Sequence, residues 1–329
     1  MSQNAPFQTI LDALLNDGNT FPARYLYRFS DLSPADLELL LKVWPQVSSP
    51  RKQTLLEDLL DLAETDTLIS FDNVARPLLL DPDAPVRLQA IRLLWEGEDV
   101  KLIPTYLEML ESDEDLQVRA AAARALGLFV YLGELEKIPA ATLRKIEDHL
   151  LKAAASAGQP LVRRQALEAL GYSGREEVIP LIEAAYREKR TEWVVSALSA
   201  MGHSNDERWK KYVLSQLRAP HEDVRAQAVQ AAGELELTSA RPILLDMLED
   251  EEDLDVRHGL VRALAKIGGE GVRDRLEELL EVEADEEEAE YLEEALDALF
   301  FTEDMGEFDL FNIDPDSNLR EEDLDEKDE

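Results

Sequence analysis

Four histidines, His149, His203, His221 and His258, are the side chains here best suited to metal ligation or general base chemistry near neutral pH. A metal centre needs several imidazoles and carboxylates converging on one ion. The His-Glu dipeptide occurs only once, at His221-Glu222. The histidines are therefore read as surface or turn residues, and no metal or other cofactor is expected. The chain has no cysteine, so thiolate nucleophiles, disulfides and thiolate metal sites are ruled out. It has no Gly-x-Ser-x-Gly elbow and no glycine-rich phosphate loop. Gly268-Gly269-Glu270-Gly271 reads as a turn between helices, because no strand precedes it. Paired carboxylates say little in a chain with 71 acidic and 34 basic residues. The expectation is a protein that is not an enzyme.

The elements that would carry any site are set by a returning dipeptide. Val-Arg occurs at Val86-Arg87, Val118-Arg119, Val162-Arg163, Val224-Arg225 and Val256-Arg257, each time opening an Ala/Leu run. Val194-Val195 reads as a sixth copy that has lost its Arg, which gives steps of 32, 44, 32, 30 and 32 residues. A fixed period in this range means one helical unit stacked on itself. Around Val118, acidic Asp113-Glu114-Asp115 supplies N-cap candidates, and Val118, Ala122, Ala125 and Leu126 share one helical stripe. Gly127 marks the end of that helix or its close approach to a neighbour. The second helix of each unit opens near Pro104, Pro180 or Pro242, each 14 residues before the next Val. The 44-residue step mainly lengthens one second helix, to roughly 141–156. Composition agrees: 45% hydrophobic, 6% aromatic, dominated by Ala and Leu.

The run Asp115-Leu116-Gln117-Val118-Arg119-Ala120-Ala121-Ala122-Ala123-Arg124-Ala125-Leu126-Gly127 resembles the signature helix of HEAT repeats, of the subtype named after phycobilisome-lyase HEAT-like repeats. Val162 to Gly171 is a shorter version, and the resemblance spans about 80–300. It implies an all-α, right-handed α-solenoid of the HEAT/armadillo type, built from stacked helical hairpins, with a concave face lined by the second helices. It also implies a ladder in which each Arg bonds an acid at a neighbouring turn. The ladder candidates are Arg87, Arg119, Arg163, Arg225 and Arg257, with Asp83, Asp115 and Asp253 four residues before three of them. Thr191 and Val195 would break it in the fourth repeat. Some HEAT proteins are di-iron hydroxylases of the deoxyhypusine type with repeated His-Glu pairs, a pattern this chain lacks. Others are DNA glycosylases, which need a basic groove.

Residues 1–80 read as degenerate N-terminal helical repeats, with helices at about 34–44, 51–64 and 68–80. There Phe21, Arg24, Tyr25, Tyr27, Arg28 and Phe29 cover the otherwise open first repeat. Residues 81–301 read as HEAT-like repeats closed by a capping helix, in which Glu288-Ala289 replaces Val-Arg. Residues 302–329 read as an acidic, disordered tail. No leader-like segment opens the chain, and stretches such as Ala125–Leu132 fall far short of the about 20 apolar residues a membrane span needs. A cytoplasmic protein without membrane contact is expected.

Charge narrows the partners. The net charge is −37, and residues 281–329 hold 23 acids against 2 bases. Such a field repels nucleic acid, so protein partners are expected. Between Tyr186 and Arg218 the local balance reverses, with seven bases against four acids. Arg187, Lys189, Arg190, Trp193, Arg208, Trp209, Lys210, Lys211 and Tyr212 form the candidate partner-binding patch. In the tail, Phe308, Leu310, Phe311 and Ile313 form a candidate acidic recognition motif of complementary charge. The functional expectation is a non-catalytic protein–protein interaction scaffold binding a partner segment on the solenoid surface. The subtype's name raises one alternative, a bilin lyase-like enzyme or enzyme subunit. The sequence leaves the oligomeric state open.

Overall fold

Each Ala/Leu run with apolar residues at spacings of three and four forms a helix in the computed structural model, which describes residues 6–66, 68–156 and 158–307. Among these residues there is no strand. The chain divides into two compact units, Met1–Trp209 and Lys210–Glu329.

The first unit holds α1 (Phe7–Leu14), α2 (Pro34–Val43), α3 (Ser49–Thr65), α4 (Asp72–Leu78), α5 (Ala84–Leu93), α6 (Ile103–Ser112), α7 (Leu116–Glu134), α8 (Ala140–Ala155), α9 (Pro160–Leu170), α10 (Val178–Arg187) and α11 (Thr191–His203). The second holds α12 (Lys210–Gln216), α13 (Glu222–Glu234), α14 (Arg241–Asp250), α15 (Leu254–Ile267), α16 (Val272–Val282) and α17 (Glu286–Glu307). Both are stacks of helical hairpins, the all-α solenoid class. Prolines sit in the first turn of α2, α3, α5, α6, α9 and α14, where their missing N–H has no intrahelical partner. Asp115 and Asp253 cap α7 and α15, accepting from Val118 N (3.2 Å) and Val256 N (3.0 Å).

The Val of the dipeptide is the anchor of each repeat. Val86, Val118 and Val256 are fully buried, and Val162 and Val224 nearly so. Burying such a side chain contributes about 1.5 kcal/mol or more. In the fourth repeat the buried residue at this position is Trp193; Val194 is half-buried. The helix caps give the same register. In every repeat the N-cap lies three residues before the anchor, at Asp83, Asp115, Gln159, Arg190, His221 and Asp253. The sixth copy is therefore Trp193-Val194, one residue earlier than the sequence suggests, and the two steps around it become 31 and 31 residues.

Glycines and alanines let the Val-Arg helices approach closely. A Cβ on Gly171 would lie 2.7 Å from the Cα of Ala200, and one on Gly233 would lie 3.0 Å from that of Ala263. Gly127 makes the same kind of contact with Ala169 and lies inside α7, which continues seven residues to Glu134. The lengthened repeat thus extends both of its helices, α7 and α8. Within each unit the Val-Arg helices touch one another far more than the proline-led helices do. The Val-Arg helices are therefore the more tightly packed layer of each unit.

At the N-terminus Phe7, Phe21, Tyr25 and Phe29 bury their rings edge to face, with centroids 6.0–6.2 Å apart, and Arg24 lies over Tyr25. Tyr27 is exposed. The last helix runs to Glu307, past the point at Phe301 where the sequence pattern fades. Among the described residues no helix is long and apolar enough to cross a membrane.

Candidate functional site: cation rungs and the open face of the Val-Arg layer

The Arg of the dipeptide points along the turns. In the first unit Arg87 forms a two-pronged ion pair with Asp113, at 2.8 and 2.7 Å, and also donates to the carbonyls of Asp81 (2.9 Å) and Pro82 (3.2 Å). In the second unit Arg225 repeats this with Glu251 (2.9 and 2.8 Å) and the carbonyls of Ala219 and Pro220. The Asp113 and Glu251 carboxylates hold the two guanidinium groups above the ordinary arginine range. Lys52 occupies the equivalent place in α3 and pairs with Asp81 at 3.2 Å, and Asp81 also accepts the Trp44 indole N–H at 2.7 Å.

The acid of each rung lies five residues before the next anchor and two before its cap. There it also accepts the N–H of the cap residue, as Asp81 does from Asp83, Asp113 from Asp115 and Glu251 from Asp253. This corrects the expected ladder. Asp115 and Asp253 cap helices, Asp83 accepts the Ser49 hydroxyl, and among the described residues none of the three pairs with an Arg. The usable signal was an acid-x-Asp triplet, present at Asp81-Pro82-Asp83, Asp113-Glu114-Asp115 and Glu251-Glu252-Asp253.

The break in the ladder is also wider than Thr191 and Val195. Five residues before Val162 the sequence has an alanine in place of an acid. Arg119 instead donates to the Leu110 carbonyl at 3.0 Å. Arg163 donates to the Ala154 carbonyl at 3.2 Å and lies over the Trp193 ring, 4.9 Å from its centroid. Arg257 is half-buried.

The predicted partner patch is divided by the fold. In the first unit Trp193 and Trp209 are 6% and 2% exposed, so neither indole is available to a partner. Trp193 fills the anchor position of its repeat, and Trp209 is buried in the core. Arg187 pairs with Glu183 (2.6 Å), Arg208 with Asp206 (2.5 Å), and Arg190 lies 4.0 Å from Glu192; Lys189 is exposed. In the second unit Lys210 and Lys211 are exposed and Tyr212 is half-buried. The candidate tail motif, Phe308, Leu310, Phe311 and Ile313, lies outside the described residues.

The sequence reading missed another surface of the first unit. On α5 and α7 the sixth residue after the anchor lies about 240° around the helix from it and is exposed, as Arg92 and Arg124. Half-buried Leu128 on α7, Arg164 on α9, Tyr172 in the turn after α9 and His203 at the end of α11 are grouped with them as one stripe. Tyr131, one turn further along the extended α7, joins it. His203 stacks on Tyr172 with centroids 4.1 Å apart and planes at 9°, and Tyr131 lies 5.5 Å from Tyr172. Arg92 and Arg124 are exposed one repeat apart. Arg124 has no ionic or hydrogen-bond partner among the described residues, and Arg92 has only a 3.4 Å contact with Gln89. The stripe also holds two acids. Glu96 is exposed, while Glu168 is taken up by Ser196 (2.5 Å) and Gln165 (2.8 Å).

The histidines are spread through the stack. His149 contacts the Lys145 carbonyl, and His221 is exposed near Glu222 and Asp223. His258 meets the Glu288 carboxylate at 2.8 and 3.0 Å, and its carbonyl accepts the Tyr291 hydroxyl at 2.7 Å. Glu288, which replaces the anchor Val, therefore ties α17 to α15.

The HEAT repeats family profile matches residues 74–145 and 211–297, and that of the PBS lyase HEAT-like repeat matches 162–188. Together they cover more than half of the chain, which belongs to the HEAT-repeat proteins. No curated protein matches it by sequence. Among solved structures, the chain is similar to the complex of CpcE and CpcF of phycocyanin lyase from Nostoc sp. PCC7120, at 18% identity and TM-score 0.47, over 69% of this chain and 94% of that one. It is similar to human deoxyhypusine hydroxylase at 18% identity and TM-score 0.35, over 79% and 95%. It is similar to Kap95p, in a structure with RanGDP, at 14% identity and TM-score 0.38, over 90% and 40%.

Proposed function

We propose that this protein is a non-catalytic scaffold that binds a partner protein along the open face of the Val-Arg layer in its first unit. The observation that carries the reading is the exposed pair Arg92 and Arg124, at the same position of adjacent Val-Arg helices in the unit that also holds the Tyr131–Tyr172–His203 ring row. In a chain of net charge −37, two arginines left without carboxylate partners are poised to meet anions from elsewhere. Arg and Tyr dominate the energetics of protein interfaces. Stacked rings lose little side-chain entropy on binding. The fitting partner is an extended segment with acidic and apolar side chains. Exposed Arg187, Lys189 and Arg190, at the α10–α11 turn of the same unit, offer it a second contact of the same sign.

The test is quantitative affinity purification from source cells of the wild-type chain and of R92E/R124E, with both folds checked by thermal melting. The wild type is expected to recover a stoichiometric protein partner, and the variant to lose at least about tenfold of it, the loss expected when charged interface contacts become repulsive. Full retention by the variant contradicts the proposed surface. Turnover of a bound small molecule by the purified wild type contradicts the non-catalytic reading.

A further inference from the structure

A cleft of about 570 Å³ opens at the edge of the first unit, between the turn leading into α5 and the turn leading into α7. Leu79, Leu80 and Met109 form an apolar wall, and Glu108, Asp113 and Glu114 a polar one. Leu80 is 78% exposed, although Leu79 beside it is buried. The acids differ in how they are used. Asp113 is neutralised by both prongs of Arg87 and ties down the Asp115 N–H. Glu108 and Glu114 are exposed, and their carboxylates have no hydrogen-bond or ionic partner among the described residues. The cleft shares no residue with the open face.

We propose that this cleft receives a lysine or arginine side chain of a partner protein segment, with a neighbouring apolar residue of that segment on Leu79, Leu80 and Met109. Charge complementarity selects the occupant. Two unneutralised carboxylates face a cleft whose one cation, Arg87, is already paired, in a protein whose net field draws cations. The apolar wall suits the methylene stem of a long basic side chain while its head reaches the carboxylates at the rim. A low-dielectric wall strengthens that attraction relative to open surface. The inference goes beyond the scaffold reading, giving one unit two surfaces of opposite charge preference.

The chain has five methionines, of which Met109 alone lines the cleft. The full chain is labelled with 13C-methyl methionine, and the Met109 line is assigned with M109L. The probes are three peptides, acetyl-Gly-Leu-X-Leu-Gly-amide with X as Arg, Gln or Glu. The Arg peptide is expected to shift the Met109 line saturably with Kd about 1 mM, as befits one side-chain anchor. The Gln and Glu peptides leave the line in place, and the Met201 and Met247 lines do not move. E108Q/E114Q is expected to weaken the Arg peptide about fivefold, with the Met201 and Met247 lines unchanged as proof of folding. Single E108Q and E114Q, each about half as effective on a logarithmic scale, serve if the double variant misfolds. An unmoved Met109 line with the Arg peptide, an equal response to the Gln or Glu peptide, or full affinity in the variants overturns the proposal.

Discussion

Replacing Asp113 with alanine removes the acid of the best-formed rung and strands Arg87. The Arg87 and Asp113 side chains are 15% and 7% exposed. Breaking a fully buried pair destabilises by about 3–5 kcal/mol. An exposed pair is worth about 0.2–1 kcal/mol. Arg87 keeps its bonds to the Asp81 and Pro82 carbonyls and some contact with water, which brings the expected loss to about 2 kcal/mol. That corresponds to about a 30-fold rise in the opening equilibrium of the α5–α7 region. Hydrogen exchange over residues 84–93 and 103–118 reads it directly. D113N retains an acceptor for the Asp115 N–H and should fall midway. R87M/D113L, which removes both charges, should recover most of the protection. D83A is the control, because Asp83 is the partner that sequence spacing suggests. It loses only its bond from Ser49, about 0.5–1 kcal/mol. An effect of D83A equal to or larger than that of D113A would refute the rung assignment.

Three further outcomes are expected. G171A should destabilise by about 2 kcal/mol in thermal melting, because its Cβ would press on the Ala200 backbone, whereas G259A, whose Cβ meets only Val229 Cγ1 at 3.7 Å, should be neutral or stabilising by up to about 1 kcal/mol. Burial pushes the Glu147 carboxyl above its usual range despite its bond from Ser173, so its contribution to stability is full below the unfolded value near 4.5 and is lost as pH rises through the folded one. The melting temperature of E147Q relative to wild type should therefore climb between about pH 4 and pH 7, and a flat difference would show that no such shift exists. Y291F removes the hydroxyl bond to the His258 carbonyl and should lower protection in α17 by about 1 kcal/mol, read by hydrogen exchange over 286–301; unchanged exchange there would show that the contact does not secure the cap.

The sequence made the repeat legible because its strongest signals are local. The anchor Val, the first-turn prolines and the small-residue seam each follow from helical spacing alone. The register of the fourth repeat was hidden because Trp193 does the anchor's job with a side chain that a Val-Arg pattern does not match. The rung acids were missed because an N-cap Asp and a rung Asp are the same residue type two positions apart, and only packing decides which one the Arg reaches. Trp193 and Trp209 looked like binding residues because indoles serve cores and interfaces equally well. The open face was invisible because it assembles Arg92, Arg124, Tyr131, Tyr172 and His203 from three helices and the turn after α9, and no linear spacing links them.

The central claim is that a partner lies on the Val-Arg layer of the first unit. Hydrogen exchange of the chain alone and in complex with the partner recovered by affinity purification tests it most directly. The account predicts protection concentrated in 88–96, 120–131 and 164–172, lost in R92E/R124E. Protection confined to the proline-led helices α6, α8 and α10, with 88–96 and 120–131 unchanged, would contradict it.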